Sequence, residues 1–149
     1  MRSTGSPSPG SREAGFTLIE LLVVMIIIGI LAAIAIPVFL SQRTKAQDAA
    51  VKSDVSTMGK ELATYYVDNN APPTLSITAG RRYALVSADA PAPGEDLGPV
   101  STNVLFTNQF IVDDTHWCVT LNNPKGQTKT FKYSASGGMS AGTCTDADG

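Results

Sequence analysis

From Leu21 to Gln42 the chain runs for 22 residues without a formal charge, and between Leu21 and Leu40 only Gly29 and Pro37 interrupt the apolar letters. A helix of about 20 apolar residues crosses the hydrocarbon core of a bilayer, about 30 Å thick. A soluble protein hides such a helix only inside a core large enough to surround it. A chain of 149 residues leaves too little sequence for that. The segment is therefore predicted to be a membrane helix. Residues 1–15 before it carry two Arg, one Glu, three Gly, two Pro and four Ser, with no apolar run. A secretory signal places its apolar region ahead of a small-residue cleavage site, and here the order is reversed. The basic, turn-rich leader is expected on the cytoplasmic side, with the C-terminal part outside.

Composition narrows the remainder. Charged residues make up 16% and hydrophobic ones 43%, the opposite of a disordered chain. Eleven basic against 13 acidic residues, net −2, leave no polyanion-binding footprint. Two cysteines are too few for a disulfide-dense miniprotein or a four-cysteine zinc site.

Residues 15–24 read Gly-Phe-Thr-Leu-Ile-Glu-Leu-Leu-Val-Val. This segment, with Gly29 and Pro37, resembles the class III signal of type IV pilins and of the pseudopilins of type II secretion and competence machines. The resemblance covers about Gly15 to Lys45; beyond Asn69 it extends to architecture alone. It implies an α+β fold: a long N-terminal helix packed on a small antiparallel β-sheet head. It also implies cleavage by a prepilin peptidase between Gly15 and Phe16, N-methylation of Phe16, and a role for Glu20 in filament assembly. The expected division is a leader at 1–15, a transmembrane and assembly helix at 16–40, and an exported head at 41–149. Within the head, helix is expected at 41–69, an αβ-loop at 70–102 and a sheet with a C-terminal disulfide region at 103–149.

The physical chemistry of these residues stands beside the resemblance. Gly15 has no Cβ, which lets a protease approach the backbone. An unpaired carboxylate in an apolar run costs on the order of 3 kcal/mol. Glu20 can be an interfacial residue near the positive end of the helix dipole, or the partner of the amine that cleavage creates at Phe16 of a neighbouring subunit. Pro37 removes a backbone donor and crowds the Ala33 carbonyl, about 3 kcal/mol in a helix interior. Gly29 adds about 1 kcal/mol of weakness relative to Ala. Such punctuation is tolerated in membrane helices; the resemblance implies local unwinding on assembly.

Beyond the apolar run, Val51, Val55, Met58, Leu62 and Tyr65 recur at spacings of four and three, predicting an amphipathic helix with one buried face. Asn69-Asn70-Ala71-Pro72-Pro73 ends it. In the connection to about Thr102 one strand is predicted, Arg82–Val86. Three more are predicted at Val104–Val112, Trp117–Leu121 and Thr128–Tyr133. In the second, Trp117, Val119 and Leu121 alternate with Cys118 and Thr120, the pattern of a half-buried strand. The turn Asn122-Asn123-Pro124-Lys125-Gly126 predicts an antiparallel hairpin. Cys118 and Cys144 fall on the exported side, which favours a disulfide over two free thiols, as the resemblance also does. The bridge is worth about 3–4 kcal/mol by a chain-entropy argument, and without it the tail Ser134–Gly149 has little reason to be ordered.

Catalytic motifs are scarce: no HExxH, Walker A, GxGxxG or CxxC occurs. The one histidine, His116, follows Asp113 and Asp114, but a turn explains the cluster better than a metal. Asp146 and Asp148 raise calcium only through the resemblance to secretion pseudopilins, without EF-hand spacing. Lys125, Lys129 and Lys132 beside Phe131 and Tyr133 allow weak DNA binding; a solvated face is the simpler reading. No enzyme activity, cofactor or metal is expected.

The first functional reading is a pilin that polymerises into a surface type IV pilus, of the kind used in adhesion and motility. Its partners are then further copies of itself, the prepilin peptidase, an assembly platform with minor pilins, and the cytoplasmic membrane. The alternative is a pseudopilin of a type II secretion or DNA-uptake pseudopilus. A membrane-anchored ligand-binding module that never polymerises is the reading outside this class, and it has no use for Glu20.

Overall fold

A computed structural model describes residues 15–90, 94–145 and 148. One helix, α1 (Leu18–Asp68), is followed by seven strands: β1 (Thr74–Ile77), β2 (Arg82–Val86), β3 (Glu95–Pro99), β4 (Leu105–Ile111), β5 (Trp117–Asn122), β6 (Thr130–Ser134) and β7 (Gly138–Ala141). The architecture is the α+β, pilin-like one expected. The chain divides into two units between Phe39 and Leu40.

In the first unit α1 is bare. Ile26, Ile27, Ile34 and Phe39 are 54%, 51%, 66% and 65% exposed, and the helix is long and apolar enough to cross a membrane. The helix is continuous through Gly29 and Pro37; the expected weakening is not expressed as a break. A Cβ added at Gly29 would meet nothing within 4 Å, so no contact within this chain requires glycine there.

In the second unit the helical stripe forms the core. Val51, Val55, Met58 and Leu62 are fully buried, clustered with Leu75, Tyr83 and Leu85 of one sheet and with Trp117, Val119, Leu121 and Phe131 of the other. Tyr65 is half-buried, its hydroxyl 3.0 Å from Ser87 Oγ. Asn69 closes the helix, donating through N and Nδ2 to the Tyr65 carbonyl at 3.1 and 2.9 Å. The following prolines cannot continue the ladder.

Two corrections concern the sheets. Segment 70–102 is not a loop with one strand: β1, β2 and β3 form a three-stranded antiparallel sheet. The second sheet, ordered β4-β5-β6-β7, contains the predicted hairpin β5–β6 and adds β7 from the tail. Nor is β5 half-buried, since Trp117 to Leu121 are all buried. Trp117, Val119 and Leu121 join the core. Cys118 and Thr120 are covered by Cys144, which is disulfide-bonded to Cys118 and donates its N–H to Thr120 Oγ1 at 2.9 Å. The bridge thus seats the tail on the strand's second face.

Two buried carboxylates fasten α1 to the loops. Asp54 accepts from Tyr83 Oη (2.8 Å), Ser101 N (2.9 Å) and Ser101 Oγ (2.7 Å). Burial and the bond to Asp54 push the Tyr83 hydroxyl pKa far above its usual value. Asp48 accepts from the amides of Thr128 (2.9 Å) and Lys129 (3.1 Å). Lys129 has φ 69°, a left-handed conformation uncommon for lysine, so Asp48 secures an otherwise disfavoured turn.

Candidate functional site

The segment singled out by sequence begins in irregular chain at Gly15, Phe16 and Thr17, and the helix starts at Leu18. The Gly15–Phe16 bond is therefore outside the helical ladder, and the Phe16 side chain is 83% exposed. A Cβ at Gly15 would touch nothing within 4 Å. Packing within the chain does not demand glycine; without a Cβ the backbone there is open to the close approach of a processing enzyme.

Glu20 sits in the first helical turn and is engaged locally. Its Oε2 accepts from Thr17 N at 2.8 Å and from Thr17 Oγ1 at 2.8 Å. The Glu20 N–H in turn reaches Thr17 Oγ1 at 3.3 Å. This reciprocal arrangement is a capping box, in which the residue before the helix and the carboxylate three positions on satisfy each other's free donors. Thr17 is the residue that reading the motif passed over, although Thr-x-x-Glu ahead of an apolar run is the pattern that announces such a cap. Oε1 has no hydrogen-bond partner among the described residues, so the cap leaves half the carboxylate open. Phe16, Ile19, Leu21, Val23 and Val24 surround Glu20 with apolar surface.

The other positions fall elsewhere. Gly29 and Pro37 lie farther along the same bare helix, and Cys118 and Cys144 lie in the head. The cluster Asp113-Asp114-His116 is a turn: Asp113 Oδ1 accepts from Thr115 N (2.9 Å), Thr115 Oγ1 (2.8 Å), His116 N (2.8 Å) and His116 Nδ1 (3.0 Å). The Thr115 hydroxyl leads these bonds in holding the Asp113 carboxyl well below its ordinary pKa. Among the described residues no group of three His, Cys, Asp or Glu side chains converges as a metal site. Asp146 lies outside the described residues, and Asp148 is occupied by Lys132 and Thr145.

The nucleic-acid reading loses its aromatic half. Phe131 is 4% exposed, with Lys52 Nζ 4.9 Å from its ring centroid, and Tyr133 is stacked on Trp117. Neither ring is presented to a base, and Lys132 is paired with Asp148.

A bare, capped apolar helix joined to an α+β head describes the pilin and pseudopilin class, which this chain resembles. A family profile described as the Prokaryotic N-terminal methylation motif matches residues 10–36. Among curated proteins, the chain is 38% identical over 82 residues to "Type II secretion system core protein G" of Aeromonas hydrophila, covering 55% of each chain. Identity to the protein of that name from Klebsiella pneumoniae is 38% over 82 residues, 55% of this chain and 56% of the relative. For that of Pseudomonas aeruginosa it is 40% over 63 residues, 42% and 44% of the two chains. The chain thus spans about half the length of the curated relatives it matches. No solved structure matches.

Proposed function

We propose that this chain is a pseudopilin: a membrane-anchored, non-catalytic subunit that polymerises into the pseudopilus of a type II secretion apparatus. The observation that carries this reading is the likeness to core proteins G of such systems. It favours the alternative drawn from the sequence over the surface pilus placed first. A prepilin peptidase cuts between Gly15 and Phe16, and Phe16 is methylated. In the filament the bare helices bury one another's apolar surface, and the open oxygen of Glu20 accepts the new amine of Phe16 from an adjacent copy. A buried carboxylate needs such a partner, and the pairing sets axial register.

Deleting the gene in its host separates the two assemblies. Loss of secreted proteins from the medium, with surface filaments unchanged, is the expected result. Loss of sheared surface filaments with secretion intact returns the chain to the pilus reading. Mass analysis of the native subunit checks processing: a chain retaining residues 1–15 contradicts both.

A further inference from the structure

Just beyond the apolar run, two cations line one groove of the head. Leu40, Arg43, Thr44 and Gln47 share one face of α1 by helical spacing, and with Lys125 they line a groove of about 410 Å³. Lys125 belongs to the β5–β6 loop, and that loop is fastened to the helix. Asn123 Nδ2 donates to Gln47 Oε1 at 2.8 Å, and Asn123 Oδ1 accepts from Lys125 N at 3.0 Å. Gly126 lies so near the helix that a Cβ would fall 2.1 Å from Asp48 Oδ1. The lysine is therefore held beside Arg43 by a docked loop rather than by a free one.

Both cations are exposed, and neither forms an ion pair among the described residues. The nearby Asp48 carboxylate is taken up by loop amides. Leu40 ends the apolar stretch, so Arg43 stands about one turn beyond the hydrocarbon boundary, at the depth of lipid headgroups. We propose that Arg43 and Lys125 bind the phosphate of an anionic phospholipid in the leaflet on the head's side. Arg43 presents its planar fork of donors to the phosphate oxygens, and Lys125 adds a point charge. Leu40 lies against the acyl end. The site seats the head on the membrane before assembly. It rests on the membrane-anchored state and not on polymerisation, so it stands or falls separately from the pseudopilus reading.

The test is native mass spectrometry of the full chain in detergent, titrated with phosphatidylglycerol or phosphatidylcholine. Basic residues near an anionic surface contribute about fivefold each in affinity. Arg43→Gln or Lys125→Gln should weaken phosphatidylglycerol retention about fivefold and the double variant about 25-fold, with phosphatidylcholine unaffected. Lys45 lies about 200° around the helix from Arg43 and is the control: Lys45→Gln should change little. Trp117 fluorescence reports that each head is folded, and Ala in place of Gln provides a second neutral pair. Unchanged phosphatidylglycerol retention in the double variant overturns the site. An equal loss from Lys45→Gln overturns it too, because the attraction is then diffuse. Filament loss with unchanged lipid retention also overturns it, assigning the two cations to an acidic side chain of a neighbouring copy.

Discussion

Gly59 sets two physical effects against each other in one substitution. In a helix interior Ala is better than Gly by about 1 kcal/mol, so on backbone grounds Gly59→Ala stabilises. The packing points the other way: an added Cβ would lie 2.3 Å from Tyr133 Cγ, 2.4 Å from Cδ1 and 2.8 Å from Cδ2. These atoms are the base of the ring, not the end of a flexible chain. The ring is also stacked on Trp117, centroids 5.9 Å apart and planes 5° from parallel, so displacing it disturbs a second aromatic. Overpacking costs about 1–3 kcal/mol, and the rigid surroundings place this case in the upper half. After the gain in propensity, a net loss of about 1–2 kcal/mol remains, lowering Tm by about 4–8 °C. Trp117 is the only tryptophan, so its fluorescence during thermal or urea unfolding of the detergent-solubilised chain reads the site directly. Gly29→Ala is the companion: a Cβ there meets nothing within 4 Å, and the head's midpoint should not move. In a Tyr133→Ala background the penalty at position 59 should vanish, since contacting residues couple. A Gly59→Ala protein as stable as the parent would refute the packing argument.

Three further outcomes are expected. Burial raises the pKa of Asp48, but the amide bonds led by Thr128 outweigh it and the net shift is down; Lys132 leads the groups that hold Asp148 near about 2. The unfolded chain therefore binds more protons below about pH 4, and the urea midpoint should fall as pH drops from about 4 toward 2; a flat profile contradicts this. Cys118→Ser with Cys144→Ser should cost about 3–4 kcal/mol and expose the β7 amides to hydrogen exchange, whereas unchanged protection would show that Thr120 alone holds the tail. Glu20→Gln preserves the capping geometry, because Gln serves at this position, but removes the charge, while Glu20→Ala removes both; membrane insertion and leader removal should persist in each, and filaments should be lost in each. Normal filaments from Glu20→Gln would reduce the residue's role to capping.

The parts of this molecule legible in the letters are those whose causes are close in sequence. The apolar run, its punctuation at Gly29 and Pro37, the Thr17–Glu20 cap and the stripe Val51–Val55–Met58–Leu62 each depend on neighbours within about one turn. The hairpin β5–β6 announced itself through its turn residues for the same reason. Strand β3 did not: Glu95-Asp-Leu-Gly-Pro99 has no alternation and contains three residues unfavourable to strands, Asp96, Gly98 and Pro99. It is extended because β2 offers it an edge. Asp48 and Asp54 look like the solvated face of an amphipathic helix, yet both are 7% exposed.

What amino-acid order settled alone was the bare apolar helix and the face it turns to the head, because short-range periodicity decides these. The folded chain decided the rest: which carboxylates are buried, why Gly59 cannot carry a methyl group, why both faces of β5 are covered, and where Lys125 meets Arg43. Each depends on atoms brought together across long separations, 80 positions for Asp48 with Thr128 and 47 for Asp54 with Ser101. A burial pattern expresses only what lies beside a residue along its own element, whereas these pairings arise when the loops close over the helix.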